Sequence, residues 1–275
     1  MKGPRRIALG VLVGVALVLS VFVARHLSAP VIPALVTRTD DAHRELSPSI
    51  GARVDRLLHD RPPAARDRGL VPRLVALTFD DGPYPVETPL LLDVLADEHV
   101  PATFFLIGRD SEQFPELARR ISREGHEIAN HTQTHPAAFE ALSPAGVRRE
   151  LAEGAQTLER YSKDRAIRSI MRPPHGRFTE TTVRVAQSAG YDVVLWNDDP
   201  GDWRSVPPET LETHIGSNAT SPDIVLLHSG RLNTVEALPA IIARFRAAGF
   251  SFVTVGELIA RVPAASIDHP AKLKV

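Results

Sequence analysis

The sequence predicts an α/β fold in which about seven parallel strands close into a barrel. Three observations carry that prediction. Beyond Val71, short runs rich in aliphatic, β-branched and aromatic residues alternate with stretches of helical periodicity. No hairpin signal joins neighbouring runs, so successive strands cross over through helices and lie parallel. Polar clusters follow five of the runs, and parallel barrel strands bring their C-terminal ends to one face, where active sites are built. An open doubly wound sheet is the alternative, and no glycine-rich phosphate loop supports it.

The elements follow in order. Leu74 to Phe79 reads as a buried strand, with a helix near Glu87 to Glu98. Ala102 to Ile107 is the second strand, followed by a helix from about Glu112 to Arg123. His126 to Asn130 is the third. A helix from Pro144 to Tyr161 follows, opened by Ser143 as N-cap with Pro144 at the first helical position. Ile167 to Met171, Asp192 to Trp196, Ile224 to Leu227 and Phe250 to Val255 complete the set.

The 275 residues suit one large domain with appendages. A formal net charge of −1 indicates no general attraction to nucleic acid. The absence of cysteine excludes disulfides, thiolate metal sites and cysteine nucleophiles. Near the N-terminus, Lys2, Arg5 and Arg6 precede an uncharged run from Ile7 to Ala24, closed by Arg25. That run is at the short end of the ~17–25 residues a membrane-crossing helix needs. Its positive flank belongs in the cytoplasm, which sends the rest of the chain outside. Residues 1–26 are therefore expected to be a membrane anchor. The competing reading is a cleaved signal peptide giving a secreted protein, although Leu27-Ser28-Ala29 is a poor cleavage site. Residues 27–70 read as a linker containing a short amphipathic piece at Ile50 to Leu58. Residues 71–262 form the domain, and 263–275 a tail.

In the first strand Leu74, Ala76, Thr78 and Asp80 share one face, while Val75, Leu77 and Phe79 share the other and pack beneath helices. Asp80 then points inward, and Gly82-Pro83 turns the chain so that Asp81 also aims at the mouth. Adjacent carboxylates repel, so a cation or an arginine must hold them together. Taken alone, Asp-Gly-Pro is more often just a turn. His131-Thr132-Gln133-Thr134-His135 places two imidazoles at i and i+4, which on a helical turn face one metal ion. Surface histidines also meet that spacing by chance. Two histidines and one aspartate leave open coordination positions on zinc or a similar divalent ion. Arg172-Pro173-Pro174-His175-Gly176 is a stiff loop after a strand. Trp196 and Trp203 bracket Asp199 and Asp202; such tryptophans line sugar-binding walls, though core packing is commoner. His228 ends the run Ile224 to Leu227.

In this order TFDDGP, HTQTH, RPPHG, DPGDW and LLH resemble the five motifs of the polysaccharide deacetylases that share the NodB homology domain, carbohydrate esterase family 4. PATFFLIG (Pro101 to Gly108) and GHEIANH (Gly125 to His131) add to the resemblance, which covers about Val71 to Val262. It implies an irregular (β/α) barrel and metal-dependent hydrolysis of an acetamido group. Carried over by position, Asp80 is the general base, and Asp81, His131 and His135 hold a divalent metal, with zinc the leading candidate. Arg172 holds the base carboxylate with Asp199 behind it, and His228 is the general acid, kept basic by Asp202. Pro174 and His175 contact substrate, the latter lending its backbone N–H to the oxyanion. Trp203 and Leu226 wall the acid and the acetyl methyl group.

Two positions depart from the pattern: His175 stands where tyrosine is usual, and Ser229 where aspartate is common, a change expected at the edge of the groove. The implied substrate is an N-acetylhexosamine polymer such as peptidoglycan or a chitin-like glycan, placed in the cell envelope by the anchor. Other readings are a deacylase of a lipid-linked sugar or small amide, and a noncatalytic glycan-binding module, which would be expected to lose at least one motif residue. A zinc protease is set aside, since HTQTH lacks the glutamate after its first histidine.

Overall fold

In the computed structural model, residues 73–219 and 221–261 are described. The expected anchor, the linker with its amphipathic piece and the tail lie outside them. Among the described residues no helix is long and apolar enough to cross a membrane.

The strands are β1 (Arg73–Asp80), β2 (Thr103–Leu106), β3 (Glu127–Asn130), β4 (Ile170–Met171), β5 (Asp192–Val193), β6 (Asp223–His228) and β7 (Phe250–Phe252). The helices are α1 (Glu87–Asp97), α2 (Gly108–Gln113), α3 (Pro115–Arg123), α4 (Pro144–Leu158), α5 (Ala166–Ser169), α6 (Glu180–Ser188), α7 (Pro208–Asn218), α8 (Leu232–Ala247) and α9 (Val255–Arg261). Three 3₁₀ turns, Phe139–Ala141, Pro174–Gly176 and Asp202–Arg204, lie in connections.

All pairings are parallel, in the order β5-β4-β3-β2-β1-β6, with β7 also on β1. Val75 pairs with both Asp223 and Phe252, so β7 takes the edge of β1 that β2 uses further along. The sheet curls until the chain after β5 meets β6: Asp198 bridges to Val225, and the Leu226 amide donates to the Asp198 carbonyl at 2.9 Å. The Asn197 and Asp198 amides also donate to the Ile224 carbonyl at 3.2 and 3.3 Å, and β4 and β5 have only two residues each. The expected strand Ile167–Met171 is mostly α5, and Asp192–Trp196 is shortened from its C-terminal end.

Side chains alternate as the pleat requires. Val75, Leu77, Phe79, Phe104, Ile128, Val225 and Leu227 join the core beneath the helices; Ala76, Phe105, Ala129 and Ile224 fill a second, inner cluster. Thr78 and Asp80 continue the same face as Ala76 up to the mouth.

Ser143 caps α4 through its hydroxyl, accepting from the Gly146 amide at 3.2 Å. The helix expected over Glu112–Arg123 is two helices. Phe114, at φ −126 and ψ 62, separates them, because a residue before proline is driven out of the helical region.

Candidate active site

Each polar cluster sits where a strand ends. Asp80 closes β1, directly beside His228 at the end of β6 in the parallel register. Asp81 takes a left-handed backbone (φ 67), which swings its carboxylate toward the same mouth.

The expectation of a helical turn at His131–His135 is corrected: that segment is a loop in which Thr132 and His135 have φ of 70 and 52. The rings converge all the same, with centroids 4.8 Å apart. The loop is held from behind. Glu150 of α4 accepts from the Gln133 and Thr134 amides (3.1 and 2.9 Å) and from the Thr134 hydroxyl (2.8 Å). Asn130 accepts from the Thr132 amide at 2.8 Å and donates to the Leu151 carbonyl at 2.9 Å. Gly154 lets the loop lie against α4, since a Cβ there would stand 3.0 Å from the Thr132 carbonyl carbon.

Among the described residues, Asp81, His131 and His135 are the group whose donor atoms all lie within 4.8 Å of one another. Asp81 Oδ1 stands 3.6 Å from His131 Nε2 and 3.4 Å from His135 Nε2. Two donors at zinc–ligand distance and tetrahedral angle stand about 3.4 Å apart, so the spacing fits a shared divalent ion. His131 Nδ1 donates to the Arg172 carbonyl at 2.8 Å; a carbonyl only accepts, so the lone pair of a neutral ring is on Nε2, facing Asp81. Burial opposes the ionised form of Asp81, but His131, His228 and His135 outweigh it and hold the carboxyl well below its ordinary range. Burial, then the charge of His131, lowers His135 to about 4, leaving it a neutral donor. On His131 burial is outweighed by Asp80 and Asp81, which raise its pKa: the cluster favours positive charge at this point.

Arg172 is fully buried and spends its guanidinium on positioning. It donates to Asp80 Oδ1 (2.6 Å), Thr78 Oγ1 (2.8 Å) and the carbonyls of Val194 (3.2 Å) and Leu195 (3.1 Å), and lies 4.0 Å above the Phe105 ring. A lysine could not serve this many acceptors in one plane. Asp80 Oδ2 is left facing His131 Nε2 at 3.9 Å.

Asp199 is corrected. It is not a partner of Arg172; its Oδ1 accepts from the Gly201 amide at 2.9 Å and shapes its own turn. The fully buried Asp202 makes the other expected contact. Its Oδ1 accepts from His228 Nδ1 at 2.8 Å, and its Oδ2 from the His228 amide and the Thr234 hydroxyl at 2.7 and 2.6 Å. Burial disfavours charge on His228, but the Asp202 hydrogen bond and charge prevail, with Asp80 and Asp81 adding, and push it up to about 9.

Around the mouth, Pro174 is buried and His175 is exposed in a left-handed conformation (φ 56), its ring 4.5 Å from that of His135. Burial, then Arg177, lowers the His175 pKa. Gly176 is required because a Cβ there would meet the Trp196 ring at 2.6 Å. Trp203 is 44% exposed on the rim, and Leu226 is buried beside Thr78. Ser229 is corrected too: it is buried beneath the carboxylates, and its hydroxyl donates toward the Asp80 and Asp81 carbonyls at 3.2 and 3.3 Å.

Thr78, Asn130, Glu150 and Tyr84 support the site without being among its expected catalytic, metal-binding or substrate-binding residues. The Tyr84 ring lies against Gly82 and Gly230, tying the Asp80–Asp81 loop to the loop after His228; burial and then Asp81 push its phenol up to about 12. Glu150 and Gly154 were findable as a polar residue and a glycine on the otherwise apolar face of α4.

Comparison with known proteins agrees with this geometry. Residues 68–194 match the family model for polysaccharide deacetylase. A peptidoglycan-N-acetylglucosamine deacetylase of Bacillus cereus is 39% identical over 192 residues, covering 68% of this chain and 88% of that protein. A chitooligosaccharide deacetylase of Sinorhizobium fredii is 36% identical, covering 64% and 87%. The solved peptidoglycan deacetylase from Bacillus subtilis superposes with a TM-score of 0.62 at 30% identity, over 69% of this chain and 91% of that one.

Proposed function

We propose, from the premise that this chain belongs to the polysaccharide deacetylase family, that it hydrolyses the N-acetyl group of hexosamine units in a cell-envelope or extracellular polysaccharide, using a divalent metal, zinc foremost. One observation carries the reading: three donors spaced for an ion lie beside Asp80 and His228, which are cross-strand neighbours. A divalent ion bound there supplies polarisation of the amide carbonyl and a more acidic water.

The side chains supply the rest. Asp80, fixed by Arg172 through Oδ1, presents Oδ2 to take the proton of the attacking water. The His175 amide, which donates to no acceptor among the described residues, supplies a hydrogen bond to the oxyanion. His228, oriented by Asp202 through Nδ1, donates from Nε2 to the departing nitrogen as the C–N bond breaks. Acetate and the free amine result. No side chain becomes acylated.

Acetate release from a panel of N-acetylated glycans tests this reading. Release from a hexosamine polymer is expected, and none from any member would refute it. We also propose an extracytoplasmic location, with residues 1–26 as anchor. Recovery of the full chain in the soluble cytoplasmic fraction would overturn that placement.

The pH profile has a worked sign. A proton donor must be charged, and His228 loses its proton as pH rises through about 9. Activity should persist below that point and fall above it. In Asp202→Asn the negative charge is gone while burial still opposes imidazolium. The upper limb should move to lower pH by about one to three pH units. An unmoved limb would show that His228 is not the group being titrated.

A further inference from the structure

The mouth is unevenly charged. On the metal-ligand side, Arg109 pairs with Asp110 at 3.2 Å and Arg177 with Glu140 at 3.9 Å. On the His228 side stand two further guanidiniums, Arg204 and Arg231, and neither forms an ion pair among the described residues. The Arg204 guanidinium lies over the Trp203 ring, its Cζ 4.6 Å from the centroid. Arg231 follows Gly230, on which the Tyr84 ring rests, and its charge acts on the Tyr84 phenol.

The two arginines belong to one patch. Asn233 donates to the Asp202 and Val206 carbonyls at 3.1 and 2.9 Å, fastening the turn that carries Arg204 to the start of α8, which carries Arg231. Trp203 and Leu232, 44% and 50% exposed, give the patch an apolar surface. Of the nearby carboxylates, Asp199 is taken up with the Gly201 amide, and Glu87, Glu209 and Glu236 make no ion pair with either arginine.

The acetyl group must enter toward the metal ligands, and the nitrogen that keeps the polymer leaves toward His228. The sugar that bears this nitrogen therefore sits on the His228 side of the mouth, the side of this patch. A guanidinium with no ion-pair partner among the described residues suits a carboxylate. Resting on the deacetylase reading, we propose that Arg204 and Arg231 form a subsite for a carboxylate on the neighbouring sugar, so that this chain prefers an acidic N-acetylated polysaccharide to a neutral one. The carboxylate is either an acid at C6 or one borne on an ether-linked side chain.

The test compares wild type with the double variant Arg204→Gln/Arg231→Gln on five substrates. These are neutral N-acetylglucosamine oligomers, glycan strands alternating with an ether-linked carboxylate sugar, an N-acetylated polymer alternating with a uronic acid, and carboxyl-reduced forms of the last two. For wild type, KM should be lower on one acidic polymer than on its reduced form, and which one identifies the source. In the double variant KM on that polymer should rise about ten-fold, while the neutral oligomer changes less than about two-fold. High salt should reproduce the loss. Equal losses on acidic and neutral substrates, or no loss on either, would overturn the subsite. Should wild type release acetate from nothing, the deacetylase reading fails, and calorimetric binding of the acidic strands decides the subsite. Carboxylate-dependent binding lost in the variant sustains it; binding indifferent to the arginines, or none, ends it.

Discussion

Asp80→Asn is expected to retain bound metal and to lose about 10²–10⁴-fold in acetate release, the range that a positioned general base contributes. The structure makes this exchange unusually clean. Arg172 offers only donors, so the asparagine must turn its oxygen to Arg172, where Asp80 Oδ1 now accepts at 2.6 Å. Its NH₂ then occupies the position of Oδ2, which faces the metal-ligand cluster at 3.9 Å from His131 Nε2. A donor without basicity stands where a proton must be accepted. The shape, the buried contact to Arg172 and all three proposed ligands remain. Acetate release measured alongside metal content separates the outcomes: normal turnover refutes the base assignment, and loss of metal shows that Asp80 is itself a ligand.

Much of this site was legible because a parallel strand makes a simple promise. Its alternation tells which residues face inward, and its C-terminal end tells where they emerge. Asp80, Arg172 and His228 could thus be placed at one mouth from Thr78-Phe79-Asp80, Met171-Arg172 and Leu227-His228 alone. The HTQTH loop shows the limit of such reasoning. A spacing of four suggests a helical turn, yet two left-handed residues and the Glu150 carboxylate produce the same convergence by another route. Periodicity cannot distinguish the two, because Glu150 is brought in by tertiary packing. Asp199 and Asp202 show a second limit. Both precede or flank a tryptophan within one short loop, and only the left-handed Gly201 decides which carboxylate turns back to its own backbone and which reaches His228. The lengths of β4 and β5 were overestimated for a related reason: apolar residues continue past the hydrogen-bonded pairs, into α5 on one side and toward the β6 bridge on the other.

Asp81→Ala and His131→Ala should each abolish metal binding and acetate release together. Asp81 Oδ1 is the point from which both imidazole nitrogens are measured, at 3.6 and 3.4 Å, so removing it leaves two neutral donors and no anionic one. The hard, charged ligand is then missing from a set that contains no thiolate to replace it. His131 is only 1% exposed and fixed by the Arg172 carbonyl, so its loss removes a nitrogen held in one position. Changes that disturb only this carbonyl contact should be milder, on the order of 10–100-fold in affinity, as for other groups that orient a metal ligand. Metal content by elemental analysis and thermal unfolding of each purified variant decide the matter. Metal lost from a folded protein, with acetate release lost in parallel, is the expected result. Full metal occupancy in Asp81→Ala would mean that the ion is held elsewhere, and the proposed chemistry would lose its centre.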